Sequence, residues 1–345
     1  MPSLIVFAVG AKILTKSGVV TALAHTPLRR LFAPLGVSAG GFCAFLVGLI
    51  SGFPTGAAVL ADLVRGGEMT REEAESLLPF CNNAGPAFVI GTIGAFLGSP
   101  RLGVILFAAQ TASAILCVLL TAPQRRQNLI FASLPREAPP RVSAAAIVAS
   151  AVAEGAAAML AVSGFVVFFA VFSGSVDAAL QAVGIPLGAL GTALFAGFLE
   201  ISGGFSSLSE AGLAGVPLAA LAGAMLGFGG MSVFMQAADR AGDSINGGFT
   251  TSRYLPGKIL CAALCAAFAV LFDAISRARH GVFLVAAALS CVILTVIAVR
   301  TLKNHLFFKK RVEKEAGMRY NKNKNDQNKV WEEPIWRINR NMTSR

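Results

Sequence analysis

Ser76-Leu-Leu-Pro-Phe-Cys-Asn-Asn-Ala-Gly-Pro-Ala-Phe-Val-Ile-Gly-Thr-Ile-Gly-Ala-Phe-Leu-Gly-Ser-Pro100 is a run of 25 residues without Asp, Glu, Lys or Arg. A helix of about 20 apolar residues crosses roughly 30 Å of hydrocarbon, so the run is long enough to span a membrane. Asn82-Asn-Ala-Gly-Pro86 stands in its middle, and Pro86 lacks an N–H and disfavours helix in the residue before it. In hydrocarbon each unpaired backbone N–H or C=O costs several kcal/mol. A span is therefore broken at such a place only where protein, water or a solute meets the freed groups. The stretch predicts an interrupted membrane helix.

The surrounding sequence has the same character. Residues 31–61, 178–199, 211–238 and 282–299 are also free of charge. Of the 345 residues 55% are hydrophobic and 14% charged, against about 25% charged in a soluble domain. The net charge of +11 is concentrated at the end, where 303–345 holds 12 basic and 5 acidic residues. A basic tail directly after a hydrophobic span reads as a cytoplasmic anchor lying on anionic lipid, with no nucleic-acid partner. Its Asn/Lys-rich part, Asn321 to Lys329, reads as disordered. The fold class expected is all-α: a polytopic membrane protein of two related repeats containing broken or re-entrant helices.

Four parts are expected along the chain. Residues 1–121 make a first membrane half, with spans at about 4–23, 35–51, 77–97 and 102–121 and a short surface helix over 62–75, where Thr70-Arg-Glu-Glu73 is a capping box. Residues 122–141, with Arg125, Arg126, Arg136 and Arg141 against Glu137, make a basic cytoplasmic linker. Residues 142–302 make the second half, with apolar stretches at 142–176, 178–199, 213–236, 256–274 and 282–300. Residues 303–345 are the basic tail. If linker and tail share the cytoplasmic side, an even number of crossings separates them, as four full spans plus broken segments would give.

The halves resemble each other. Gly48-Leu-Ile-Ser-Gly-Phe-Pro54 has a counterpart in Phe198-Leu-Glu-Ile-Ser-Gly-Gly204, and Asn82-Asn-Ala-Gly-Pro86 in Gly227-Phe-Gly-Gly-Met-Ser232. Paired Gly/Pro-interrupted segments at corresponding positions point to a midplane solute site. Helix-break residues are Gly52, Phe53, Pro54, Gly85, Gly203, Gly227 and Gly230. Solute-binding candidates are Asn82, Asn83, Pro86, Glu200, Ser202, Gly229, Ser232 and Gln236. The N-terminal ends of broken helices carry about half a positive charge, which suits an anion. The bland alternative is that the glycines only permit close packing and the Asn pair satisfies a kink. Glu200, and with less support Glu154, are ionisable at membrane depth and so candidate proton or cation sites. No cofactor is expected, and the coupling ion, sodium or proton, is left open.

Cys43, Cys81, Cys117, Cys261, Cys265 and Cys291 have no His partners or CxxC spacing, which supports neither zinc nor a disulfide. His25, His280 and His305 receive no role. No nucleophile–His–acid set, phosphate loop or metal cluster is present, so the sequence does not read as an enzyme.

Ser51-Gly-Phe-Pro-Thr-Gly-Ala57, Arg71-Glu-Glu-Ala74, Leu78-Pro-Phe-Cys-Asn-Asn-Ala-Gly-Pro86, Leu199-Glu-Ile-Ser202 and Gly227-Phe-Gly-Gly-Met-Ser-Val233 with Gln236 form a joint pattern over about Pro2 to Val299. It resembles the sporulation integral membrane protein YlbJ (SpoVV) family, in the nucleoside-recognition Gate group. The resemblance implies a two-repeat transport fold related to concentrative nucleoside carriers. It implies a multi-pass protein of the cell membrane, the outer forespore membrane in sporulating cells, that exports dipicolinic acid from the mother cell. It also implies a further hydrophobic segment before Pro2, so the chain is expected to begin late or lack a helix. The basic tail has no counterpart in the family.

Three readings follow. The first is a carrier of a small organic anion. The second is a nucleoside or other neutral-solute carrier of the same fold. The third is a non-transporting scaffold for spore maturation. Expected partners are the solute and the bilayer, with room for a homo-oligomer.

Overall fold

The computed structural model describes residues 37–121, 143–246 and 251–277, together with Ile5, Val6, Val9, Gly10, Lys12, Ile13 and Ser17. All of them belong to one unit, Met1–Val296. The expected span at 282–300, the linker at 122–141, the tail and most of 4–23 lie outside the described residues. Among the described residues every element is a helix.

Ser38 opens α1 (Ala39–Ser51), its Oγ accepting from Gly41 N–H at 3.0 Å. Gly52 ends it at φ 82°, a left-handed value that suits glycine. After the turn at Phe53-Pro54 the chain enters α2 (Thr55–Arg65). At 13 and 11 residues, or about 20 and 17 Å, neither helix crosses a bilayer alone. They fold back on each other: a Cβ on Gly48 would stand 3.0 Å from the Gly56 Cα, although eight residues of continuous helix span about 12 Å. α1 and α2 are a re-entrant hairpin.

α3 (Arg71–Cys81) is capped by Thr70, whose Oγ1 accepts from Glu73 N–H at 3.3 Å. The capping box thus starts a helix at the expected residue, but the expected surface helix over 62–75 is not one element. Its first residues complete α2, and α3 runs on to Cys81, with Glu73 buried and accepting from Ser38 N–H at 3.0 Å. After the non-helical Asn82–Gly85 the chain resumes as a π-helical segment, Ala87–Ile93, and one further turn, α4 (Gly94–Phe96). α5 (Pro100–Thr121) is continuous.

The second half repeats this order behind a long helix, α6 (Ala144–Ala182). The expected boundary at 176 is corrected. Asp177 lies inside α6 and accepts from Gln181 at 2.8 Å and from Thr192 at 3.2 Å, so its charge does not end the helix. At 39 residues α6 is about 58 Å long, and the stretch between Glu154 and Asp177 alone matches the hydrocarbon thickness. Leu160, Val167, Phe168, Val171 and Phe172 point outward from it, the reverse of a soluble surface helix. α7 (Gly188–Leu199) and α8 (Ile201–Glu210) form a second hairpin, too short to span. A Cβ on Gly204 would overlap the Gly197 Cα, so the chain folds back at Glu200. α9 (Gly215–Phe228) and α10 (Gly230–Asn246) are one span interrupted at Gly229, φ 88°. α11 (Thr251–Ser276) is continuous and corresponds to α5.

Each half is therefore a hairpin, an interrupted helix and a whole helix, in that order. Pro100–Val118, Ala144–Ala182, Gly215–Gly242 and Arg253–Ser276 are long and apolar enough to cross a membrane. The chain is an all-α membrane protein. α11 packs on α9, α5 and α3, and α10 packs on α2 and α3, so the halves share one core.

Candidate functional site

The four interruptions meet. A Cβ on Gly52, at the tip of the first hairpin, would stand 2.9 Å from the Gly85 nitrogen in the α3 break. A Cβ on Gly229 would lie 4.0 Å from the Phe53 ring, which joins the first hairpin tip to the α9–α10 break. One on Gly230 would lie 3.3 Å from Leu199 O and 3.5 Å from Ile201 N, either side of Glu200 in the second hairpin tip. Two corrections follow from the same geometry. Gly203 and Gly227 are not break residues but lie inside α8 and α9, where Gly203 donates to the Glu200 cap and Gly227 lets α9 close on the Cys261 carbonyl of α11. The breaks proper are at Glu200, extended at φ −145° and ψ 122°, and at Gly229.

The α3 break is held by side chains the sequence reading did not single out. Gln110 of α5 clamps Ala84: its Oε1 accepts from Ala84 N–H at 3.1 Å and its Nε2 donates to Ala84 O at 2.9 Å. Lys258 of α11, 2% exposed, donates to Asn82 O at 2.8 Å. Asn82 donates through Nδ2 to the Tyr254 hydroxyl at 3.1 Å, and Asn83 through Nδ2 to Phe80 O. Phe234 of α10 packs edge-on to Tyr254, ring centroids 5.4 Å apart. Gln110, Lys258 and Asn83 satisfy backbone that the missing helix left open, and Tyr254 holds the Asn82 side chain.

Among the described residues two buried acceptors are left over: Asn82 Oδ1 and Gln236 Oε1 have no hydrogen-bond partner there. Gln236 donates to Ser232 Oγ at 3.1 Å, with Ser232 fully buried. Both spare oxygens belong to amides whose nitrogens bond a hydroxyl. A hydroxyl donates or accepts as required, so turning either amide over presents N–H instead of C=O without losing that bond. Either amide can thus present a donor or an acceptor.

Glu200 is buried, and its carboxylate caps its own helix, accepting from Gly203 N–H at 2.7 Å. One carboxylate oxygen therefore already answers the positive end of α8, beside the proton or cation role considered for Glu200. By contrast α2 and the π segment have no side-chain cap at their N-terminal ends, which Pro54 and Pro86 occupy. Ser202 is half-buried in the first turn of α8. Among the described residues no hydrogen bond joins the Asn pair to Glu200 or to the Ser232–Gln236 pair. Glu154 pairs with Lys12 at 3.3 Å, and Lys12 also reaches Asp62 at 3.3 Å, so the Glu154 carboxylate serves an ion-pair network between α6 and α2.

Two clefts lie elsewhere. One, of about 170 Å³, is lined by Arg101, Asp273 and Arg277 at the start of α5 and the end of α11. The other is an apolar groove between the α6 phenylalanines and Met235.

No family model matches the sequence, and no solved structure does. The chain is similar to the sporulation integral membrane protein YlbJ of Bacillus subtilis (strain 168), with 27% identity over 272 residues. It is a distant homologue of that protein. The match covers 69% of this chain and 65% of the relative, so the chain spans less than two thirds of the relative's length.

Lys258 escaped the sequence reading because Ser252-Arg-Tyr-Leu-Pro-Gly-Lys258 looks like a polar flank, and Pro256 seems to open the span. The helix in fact starts at Thr251 and carries Pro256 within its first turns. Gln110 carried a usable signal, a lone long amide in the middle of an uncharged span.

Proposed function

We propose that the chain is a non-enzymatic carrier that moves a small polar solute across the membrane, with the solute bound where the four helix breaks meet. The observation that carries this reading is the convergence of two hairpin tips and two interrupted helices in the apolar interior. Opening four helices at one place leaves backbone groups that nothing in hydrocarbon satisfies, and much of the surrounding polar chemistry is spent on holding that backbone. Two amides nevertheless keep a spare polar atom turned inward. Asn82 and Gln236 are the first candidates for direct contact, with Asn83, Ser202 and Ser232 beside them.

The substrate proposed is a small organic anion. Two helix N-terminal ends without a side-chain cap favour one. Similarity to a sporulation membrane protein and the family resemblance together nominate dipicolinic acid, exported from the mother cell across the outer forespore membrane. A second reading, a nucleoside or other neutral solute within a Gate-type fold, is favoured by one observation: the spare atoms of Asn82 and Gln236 are acceptors as they stand.

Uptake of labelled dipicolinate into proteoliposomes, with a nucleoside in parallel, tests both. Saturable dipicolinate uptake that falls at least tenfold in Asn82→Ala and Gln236→Ala, in protein that still unfolds cooperatively, supports the anion reading. Uptake of the nucleoside alone moves the assignment to the second. Flux of neither from folded protein removes the carrier reading and leaves the scaffold.

A further inference from the structure

We propose that Lys258 is a tethered cation: its ammonium fills the place at the frayed C-terminal end of α3 that a free metal cation would otherwise take, and makes the site independent of sodium.

The argument starts from the end of α3. A helix C-terminus leaves carbonyls without partners and carries about half a negative charge. Where such an end is buried in a membrane carrier, freed carbonyls are the groups that coordinate sodium. Here protein groups crowd them. Leu78 O keeps its in-helix bond from Asn82 N–H at 3.2 Å, and Phe80 O accepts from Asn83 Nδ2. Cys81 O is wedged between the α carbons of Gly48 and Gly56, so close that a Cβ on either glycine would overlap it. Asn82 O accepts from Lys258 at 2.8 Å.

The surroundings of Lys258 fit the same role. A buried ammonium normally pairs with a carboxylate, because removing an ion from water is costly. Among the described residues no carboxylate lies within ion-pair range of Lys258. Among the described residues its hydrogen bond goes to the backbone at the break, and the titratable groups around it are the thiols of Cys81, Cys117, Cys261 and Cys265. The negative end of α3 is thus the counter-charge to the ammonium, and the ammonium is the positive charge that end requires. Lys258 comes from α11 in the second half, so the same contact pins the two halves together at the site.

The inference concerns the site of the proposed function, but its readout is stability and not flux. Either can therefore fail while the other stands. The test is thermal unfolding of the purified full chain in detergent, in sodium, potassium or choline chloride at equal ionic strength. The wild-type midpoint should agree within about 1 °C in all three salts. Lys258→Met should unfold earlier in choline and recover by about 5 °C, saturably, as sodium or potassium enters the vacated place. Lys258→Arg should remain independent of the salt. Saturable stabilisation of the wild type by sodium or potassium overturns the proposal, and so does a folded Lys258→Met that does not respond to either ion. Should Lys258→Met fold in no salt, Lys258→Arg decides: independence of the metal ion supports the tethered cation, and a sodium requirement overturns it.

Discussion

Gly52 and Gly85 stand backbone against backbone, so that a Cβ on Gly52 would lie 2.9 Å from Gly85 N and one on Gly85 would lie 3.1 Å from Gly52 N. This contact makes the tip of the first hairpin and the α3 break a single unit, and neither chain can widen without the other giving way. Gly52→Ala and Gly85→Ala are expected to lower stability by about 1–3 kcal/mol through overpacking. Gly52→Ala should be the worse of the two, because its φ of 82° also strains an L residue. Gly174→Ala, on the outward side of α6 with nothing within 4 Å of its Cβ, should be neutral or stabilising by up to about 1 kcal/mol. Thermal unfolding in detergent gives all three values. Equal behaviour of Gly85→Ala and Gly174→Ala would remove the argument from close approach.

The two-point clamp of Gln110 on Ala84 predicts a graded series. Gln110→Leu leaves a buried N–H and a buried C=O unpaired, at about 1–3 kcal/mol each. Gln110→Glu, held protonated by burial, keeps an acceptor for the N–H and replaces the Nε2 donor by a single O–H, so its loss should fall between wild type and Gln110→Leu. The order is read from unfolding midpoints, and a Gln110→Leu protein as stable as wild type would mean that Ala84 is satisfied some other way.

The existence of the four interruptions was legible in the sequence, because clusters of glycine, proline and paired asparagines in an uncharged run weaken a helix where they stand together. Their shape was less so. Gly52-Phe-Pro54 and the Glu200 region turn the chain back on itself, whereas Asn82–Gly85 and Gly229 leave it running on. The small residues that decide between these outcomes, Gly48 opposite Gly56 and Gly197 opposite Gly204, act through contacts seven or eight residues apart that periodicity does not reveal. Gly203 and Gly227 were misplaced for a related reason: in a glycine-rich chain, glycine marks close packing as often as a break. Gln110, Tyr254 and Lys258 were missed because each lies on a different helix from the α3 break, whose backbone or Asn82 side chain it bonds.

Cys117 of α5 and Cys261 of α11 bring their sulfurs to 3.3 Å, joining the two halves across the core. Their separation along the chain gave no sign of this approach. A disulfide needs the sulfurs about 2.05 Å apart, so a small shift of two packed helices suffices. Diamide, which takes up the two thiol hydrogens and two electrons, is expected to link the pair. After proteolysis in the 122–141 segment, the two fragments should then stay together on a non-reducing gel and separate on reduction. Cys117→Ser should abolish the link. Fragments that separate after diamide treatment would count against this approach of α5 and α11.

Glu200 separates two kinds of membrane carboxylate. A coupling carboxylate must gain and lose a proton or an ion, and Gln in its place abolishes coupling while leaving the fold intact. A capping carboxylate works through the hydrogen bond it accepts, here from Gly203 N–H at 2.7 Å, and an amide oxygen accepts the same bond. Glu200→Gln loses only the interaction of the charge with the α8 dipole, about 0.3–1 kcal/mol and up to ~2 kcal/mol in a buried setting. Glu200→Leu also leaves the N–H unpaired inside the protein and should cost about 1–3 kcal/mol more. Stability should therefore fall in the order wild type, Glu200→Gln, Glu200→Leu, and solute flux in proteoliposomes should follow that order, with the Gln protein keeping most of it. Abolished flux in a Glu200→Gln protein of near wild-type stability would make Glu200 the coupling group, and its bond to Gly203 the resting position of a residue that moves.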